Sequence, residues 1–196
     1  MNGSPSAATI SAGVDLIGGD TRVKNGVVIT QTGGSVEFYN GAALAAPVAI
    51  FGGSQWNISG GELIIDGPLA LGYDNYGGNK NSADILNISG GIVVIRNNPD
   101  AGEGFVVPVA GLYKSANSKI VISGDGVLSV DTSAYPTVWP GVLQGWIDDG
   151  TLTSVAGQTV QMTNVGNDIV EITAVPEPAT MVLLGLGAMI SFRRKR

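Results

Sequence analysis

The tetrapeptide Ile-Ser-Gly-Gly constrains this chain more than any other feature. Residues 56–65 read WNISGGELII, and residues 86–95 repeat the pattern as LNISGGIVVI. Residues 120–130 (IVISGDGVLSV) form a third copy, and residues 28–38 (VITQTGGSVEF) form an earlier, weaker one. Taken as markers, Ile29, Ile58, Ile88 and Ile122 are 29, 30 and 34 residues apart. A period of that length argues for stacked units that bury one shared core. Each unit reads as a strand, a glycine turn and a second strand, followed by a further apolar run at 46–51, 68–71 and 105–109. The glycine pairs suit a backbone that turns sharply through positive φ.

Short strands without intervening helices predict an all-β fold, and 30 glycines with only 13% charged residues agree with it. The unit resembles one coil of a right-handed parallel β-helix. Like strands recur one period apart, so stacking in register places like on like. About four coils at about 4.8 Å each give a solenoid roughly 20 Å long. A meandering β-sandwich of hairpins competes with it, because Gly-Gly between strands is also a hairpin signal. The segment 72–84 is polar and glycine-rich and reads as a loop between coils. Asp74, Asn75, Asn79, Asn81 and Asp84 offer oxygens there, but their spacing does not fit a calcium loop. A solvated loop is expected, and likewise at 97–104.

Past Asp131 the pattern changes. Within 138–149, Val142, Leu143, Trp146 and Ile147 are at helical spacing and Gly150 supplies a stop. Strands at 159–163 and 169–173, joined by 164–168, complete a helix-plus-hairpin cap over the open end of the stack.

Composition excludes much chemistry. With no His and no Cys, histidine-based triads, histidine-ligated metals and thiol chemistry are all ruled out. Residues 1–174 hold 15 acidic and 6 basic side chains, a net of −9. A surface that acidic repels phosphate backbones, so no nucleic-acid partner is expected. Lyase-like chemistry on a β-helix needs an Arg or Lys base near carboxylates, and glycosidases need paired carboxylates. The candidates are Arg22, Lys24, Arg96, Lys114 and Lys119, with Asp66, Asp84, Asp125 and Asp131, and they form no motif. Asp148 and Asp149 are neighbours on a helix and diverge. No catalysis, metal or cofactor is expected. Asn57-Ile-Ser59 and Asn87-Ile-Ser89 fit the N-glycosylation pattern, but a stacked or turn-facing role within the repeat explains the asparagines better. Trp56 reads as core rather than as a sugar platform.

The tail has three parts. Pro176, Glu177 and Pro178 come first, and the prolines keep the segment extended. An uncharged run, 181–192, follows, with Met181, Val182, Leu183, Leu184 and Phe192 as its apolar frame. Arg193, Arg194, Lys195 and Arg196 close it, and the positive-inside bias holds them in the cytoplasm. This order, spacing and terminal position resemble the PEP-CTERM sorting signal of bacterial exported proteins. The resemblance implies that an exosortase, a membrane protease-transpeptidase, reads Pro176-Glu177-Pro178. It also implies a C-terminal hydrophobic helix that stops in the membrane, and basic residues that anchor it. The repeats, the Trp-rich segment and the tail together look like a group of uncharacterised PEP-CTERM surface proteins.

Three regions follow: repeats at 1–133, the cap at 134–174 and the sorting segment at 175–196. Residues 1–13 have neither a basic start nor an apolar core. An exported chain therefore implies a start upstream, or a fragment. The expected function is a non-catalytic exported protein, passing through the inner membrane to the cell surface or exopolysaccharide matrix, with an adhesion-like role and a possible matrix-polysaccharide partner. The alternative is a small lyase-like enzyme or a glycan-binding module on the same scaffold.

Overall fold

The computed structural model describes residues 7–11, 15–18, 21–39, 48–67, 69–72, 82–96, 112–133 and 139–177. Over the described residues it is a β-solenoid with one short helix. The main sheet begins with β1 (Ala7–Ile10) and β2 (Asp15–Gly18), and a smaller sheet begins with β3 (Thr21–Val23). The chain then alternates between them: β4 (Val28–Tyr39), β5 (Val48–Ile50), β6 (Gln55–Asp66), β7 (Leu69–Leu71), β8 (Ile85–Arg96) and β9 (Leu112–Lys114). β4, β6 and β8 stack in parallel in the main sheet, and β3, β5, β7 and β9 do so in the smaller one. Parallel pairing at every step removes the hairpin sandwich. From β3 the path returns to the smaller sheet three times, giving about three turns rather than four. Below them β1 and β2 both pair in parallel with β4, one with each half of it.

The glycine pairs do not end a strand. β6 and β8 each run for 12 residues straight through Ser-Gly-Gly, which bends the strand and shifts the register there. Gly61 and Gly91 sit at φ 78° and 74°, values that cost other residues dearly. A Cβ on Gly61 would lie 2.3 Å from the Gly34 carbonyl oxygen, and one on Gly91 would lie 2.4 Å from that of Gly61. The preceding serines replace ladder bonds lost at the bend. Ser59 Oγ donates to the Gln31 carbonyl (3.4 Å), and Ser89 Oγ donates to that of Ile58 (3.3 Å).

On either side of the bend, alternate residues enter the core. Four columns result: Ile29, Trp56, Leu86, Ile120; Gln31, Ile58, Ile88, Ile122; Val36, Leu63, Val93, Leu128; and Phe38, Ile65, Ile95, Val130. Sixteen positions cross the molecule this way, and burying each large aliphatic side chain stabilises it by about 1.5–3 kcal/mol. Ile58 therefore stacks on Gln31 and not on Ile29, so the first period is two residues shorter than the isoleucine spacing predicts. The bend fixes the register, and Thr32-Gly33-Gly34 is what aligns with Ser59-Gly60-Gly61. Gln31 is fully buried, and its Nε2 donates to the Glu62 carbonyl (2.9 Å). Trp56 is 1% exposed and meets Phe38 edge-on at 6.0 Å, a core residue as expected.

The third copy differs for a reason visible in its residues. Ser123-Gly124-Asp125-Gly126 is one residue longer than Ser-Gly-Gly, and a turn forms in place of a bend. It divides the coil into β10 (Lys119–Ile122) and β11 (Val127–Asp131), each parallel to one half of β8. α1 (Trp139–Asp148) follows, with Pro140 in its first turn and Gly150 at φ 74° just beyond its end. In chain order it stands where earlier coils have their strand of the smaller sheet. Leu143 joins the common core, and Val142, Trp146 and Ile147 pack against that core. β12 (Leu152–Ser154), which the sequence reading lacks, adds one more parallel strand on β10. β13 (Gln158–Gly166) and β14 (Ile169–Pro176) form an antiparallel hairpin, and β14 covers the edge of β11. Its two-residue turn, Asn167-Asp168, has φ 53° and 58°, as a type I′ hairpin requires. The expected strand at 105–109 lies outside the described residues; the strand that pairs with β7 is β9.

Gly61→Ala or Gly91→Ala is expected to lower stability by about 3 kcal/mol or more, because the bend and the coil beneath cannot both persist. Gly145→Ala, on α1 with nothing within 4 Å of the added Cβ, is expected to raise it by about 0.5–1 kcal/mol. Urea midpoints for the three variants check both signs.

Candidate functional site

The residues nominated for chemistry occupy separate places. Arg22 is on β3, and Lys24 is exposed just after it. Arg96 ends β8, stacks in register on Asp66 and reaches diagonally down two coils to Glu37, at 3.1 Å. Both partners are substantially exposed, so the pair is worth at most about 1 kcal/mol. Lys114 ends β9, and Lys119 opens β10 with its side chain exposed. Asp125 is exposed in its turn, and Asp131 Oδ1 accepts from the Ser133 amide (2.8 Å). Asp148 accepts from Gln144 Nε2 within α1 (2.9 Å), while Asp149 accepts from the Thr151 amide (2.9 Å), so the two carboxylates serve different partners. Among the described residues no group of three or more acidic side chains is placed to hold a metal ion.

Asn57 and Asn87 are register partners on the outer face of the main sheet, and Asn87 Nδ2 donates to Asn57 Oδ1 at 2.6 Å. Asn87 thus uses its side-chain nitrogen and Asn57 its oxygen in a bond between coils, so of the two expected roles the structure shows the stacked one.

Asp84 is the one candidate whose surroundings are built. It is fully buried at the corner where the chain passes from the smaller sheet into β8. Its Oδ1 accepts from the Ser54 amide (2.8 Å) and its Oδ2 from the Ser82 hydroxyl. Ser82 Oγ in turn accepts from the Gly52 amide (2.9 Å), and the Ser82 carbonyl accepts from Ser115 Oγ (2.9 Å) and Ser118 Oγ (3.1 Å). The Asp84 carbonyl takes the Lys119 amide (2.9 Å). Each carboxylate oxygen thus has one donor, a backbone amide on one and a hydroxyl on the other, and the corner ties three successive coils together. Sequence reasoning missed Ser54, Ser82, Ser115 and Ser118. A signal was present: Ser54, Asp84 and Ser118 each stand immediately before the first residue of a main-sheet strand. Asp74, Asn75, Asn79 and Asn81 lie outside the described residues, as does the 97–104 loop.

The sorting segment begins inside the fold. Ala174, Val175 and Pro176 are the last residues of β14, opposite Val160, Thr159 and Gln158 of β13. The Glu177 amide donates to the Gly157 carbonyl (3.0 Å). Pro176 has no amide hydrogen to give, and its position suits that. The Glu177–Gly157 bond brackets the Gln158–Pro176 pair as one that exchanges no hydrogen bonds, so the proline nitrogen faces away from β13. On that other side β11 reaches only as far as Thr173. Pro178, the apolar residues Met181, Val182, Leu183, Leu184 and Phe192, and Arg193, Arg194, Lys195 and Arg196 lie outside the described residues. Among the described residues no helix is long and apolar enough to cross a membrane.

Comparison with curated proteins and with solved structures returned no match. One family model matches: residues 174–196 fit the PEP-CTERM protein-sorting motif. The fit covers the tail alone, starts at the third-last residue of β14, and supports a protein sorted by an exosortase to the surface.

Proposed function

We propose that this chain is a non-catalytic solenoid displayed at the cell surface or in the exopolysaccharide matrix, with a structural or adhesion-like role. The observation that carries the reading is a protein-sorting motif that runs directly out of β14, the second strand of the hairpin. In it Pro176, Glu177 and Pro178 are the recognition element. Residues 181–192 form a hydrophobic helix that halts in the membrane, though at 12 residues the run is shorter than a full span and relies on its flanks. Arg193, Arg194, Lys195 and Arg196 hold the end on the cytoplasmic side. Right-handed winding of the coils belongs to the same proposal, since parallel crossovers take that hand in about 98% of cases.

The placement of polar side chains favours display over catalysis. Arg96 is engaged with Glu37, Asp84 accepts from Ser54 and Ser82, Asp131 and Asp149 each accept from a nearby backbone amide, and Asp148 is bonded within α1. A lyase needs its base and its carboxylates to converge on one sugar, and those residues are distributed along different edges. What the outer face offers a matrix polysaccharide is a flat, regularly stacked surface that carries Thr30, Asn57 and Asn87 in one column.

Glu177→Ala, or deletion of residues 193–196, is expected to leave folding stability within about 0.5 kcal/mol and to misdirect the protein. Intact-mass spectrometry of envelope and matrix fractions checks this; normal surface delivery of both variants would sink the sorting reading. Asp84→Ala is expected to cost about 3 kcal/mol by stranding the Ser54 amide and the Ser82 hydroxyl, while millimolar Ca²⁺ leaves the wild-type urea midpoint unmoved. A calcium-bound site would instead add about 2.7 kcal/mol at a hundredfold excess over Kd.

A further inference from the structure

The sorting motif and the fold share residues. The family match begins at Ala174, yet Ala174, Val175 and Pro176 are laddered on β13 and Glu177 is hydrogen-bonded to Gly157. Two of the three residues of Pro-Glu-Pro are therefore held by the domain. A protease takes its substrate as an extended strand and satisfies the substrate backbone with its own groups. Here the backbone donors of Val175 and Glu177 face β13 instead. Ala174 and Val160 also pack together against the common core, so lifting the strand end exposes apolar surface as well as breaking hydrogen bonds. Only three residues separate Glu177 from Met181, a reach of about 14 Å when fully extended. The tail therefore has little slack with which to present the motif while the strand end stays docked.

We propose that β13 is an intramolecular competitor of the processing enzyme, so that residues 174–177 must peel from β13 before the sorting motif is read. The inference rests on the sorting reading above and adds a gate to it. The folded cap sets the fraction of chains whose motif is free, and the apparent affinity for the enzyme falls by that fraction. Breakage of one ladder pair changes such a fraction by about fivefold to tenfold.

The chain has no cysteine, so an introduced pair forms its only disulfide. Val160 and Ala174 are register partners at a position that exchanges no hydrogen bonds, where Cα atoms approach to about 4.5 Å, within disulfide range. V160C/A174C leaves Pro176, Glu177 and Pro178 untouched. The full chain is followed for tail removal in membranes that contain the exosortase. The oxidised V160C/A174C chain is expected to be processed at least about tenfold more slowly than the same chain after reduction. Thr159→Pro, which deletes the amide facing Val175, is expected to speed processing about fivefold. Equal rates for oxidised, reduced and Thr159→Pro chains would overturn the gate. A second measurement needs no enzyme: in the full chain in detergent micelles, the Val175 and Glu177 amides are expected to exchange slowly with deuterium. Fast exchange at both overturns the gate even where the motif is read normally. Slow exchange, with no tail removal in the unmodified chain, shows instead that the sorting reading has failed and takes the gate with it.

Discussion

The contact on which the fold depends is the seating of each glycine bend against the backbone of the coil beneath. At Gly61 and Gly91 the space where a Cβ would stand holds a carbonyl oxygen. The bend therefore has only one register in which successive coils can lie flat. Every inner column follows from it, because a one-residue slip of a parallel strand turns its apolar side chains outward. The serine before each glycine pair has a complementary duty, since its hydroxyl supplies a hydrogen bond where the ladder is interrupted. Bend, ladder and core are thus three consequences of a single local geometry repeated along the stack.

A stack of parallel coils has open ends, and the chain covers the C-terminal one with elements of a different kind. At the C-terminal side a helix takes the place of a small-sheet strand, β12 extends one half of the main sheet and an antiparallel hairpin extends the other. Reversing strand direction there leaves β13, whose side chains are largely exposed, as the outermost strand. The same hairpin carries the exit of the chain. Covering the stack and launching the tail are done by one strand, which is why the sorting motif and the fold overlap.

The polar side chains that look most like chemistry act between coils. Asp84 and the serines around it join three coils at a buried corner, and Asn57 with Asn87 joins two on the outer face. The Arg96–Glu37 pair links two coils across an intervening one. Buried bonds such as those of Asp84 are expensive to lose because desolvated partners are left behind. The exposed ion pair adds little.

Sequence alone determined the repeat, the all-β class and the address. Glycine pairs, alternating apolar residues and a terminal signal are local patterns, legible without knowing what touches what. It also placed Trp56, the helix and the hairpin, because each has a periodicity or turn chemistry of its own, and it left the asparagines as stacked or turn-facing. Only the tertiary structure decided that Gln31 rather than Ile29 stacks beneath Ile58, since the bend sets the register and not the most similar residue. Only it decided that Asp84 is enclosed by Ser54 and Ser82, and that β12 joins β10. That Pro176 and Glu177 lie on β13 was likewise beyond the sequence. Apart from the Ser82–Asp84 bond, these contacts connect residues about 20 to 30 positions apart, a separation at which no local pattern shows the partner.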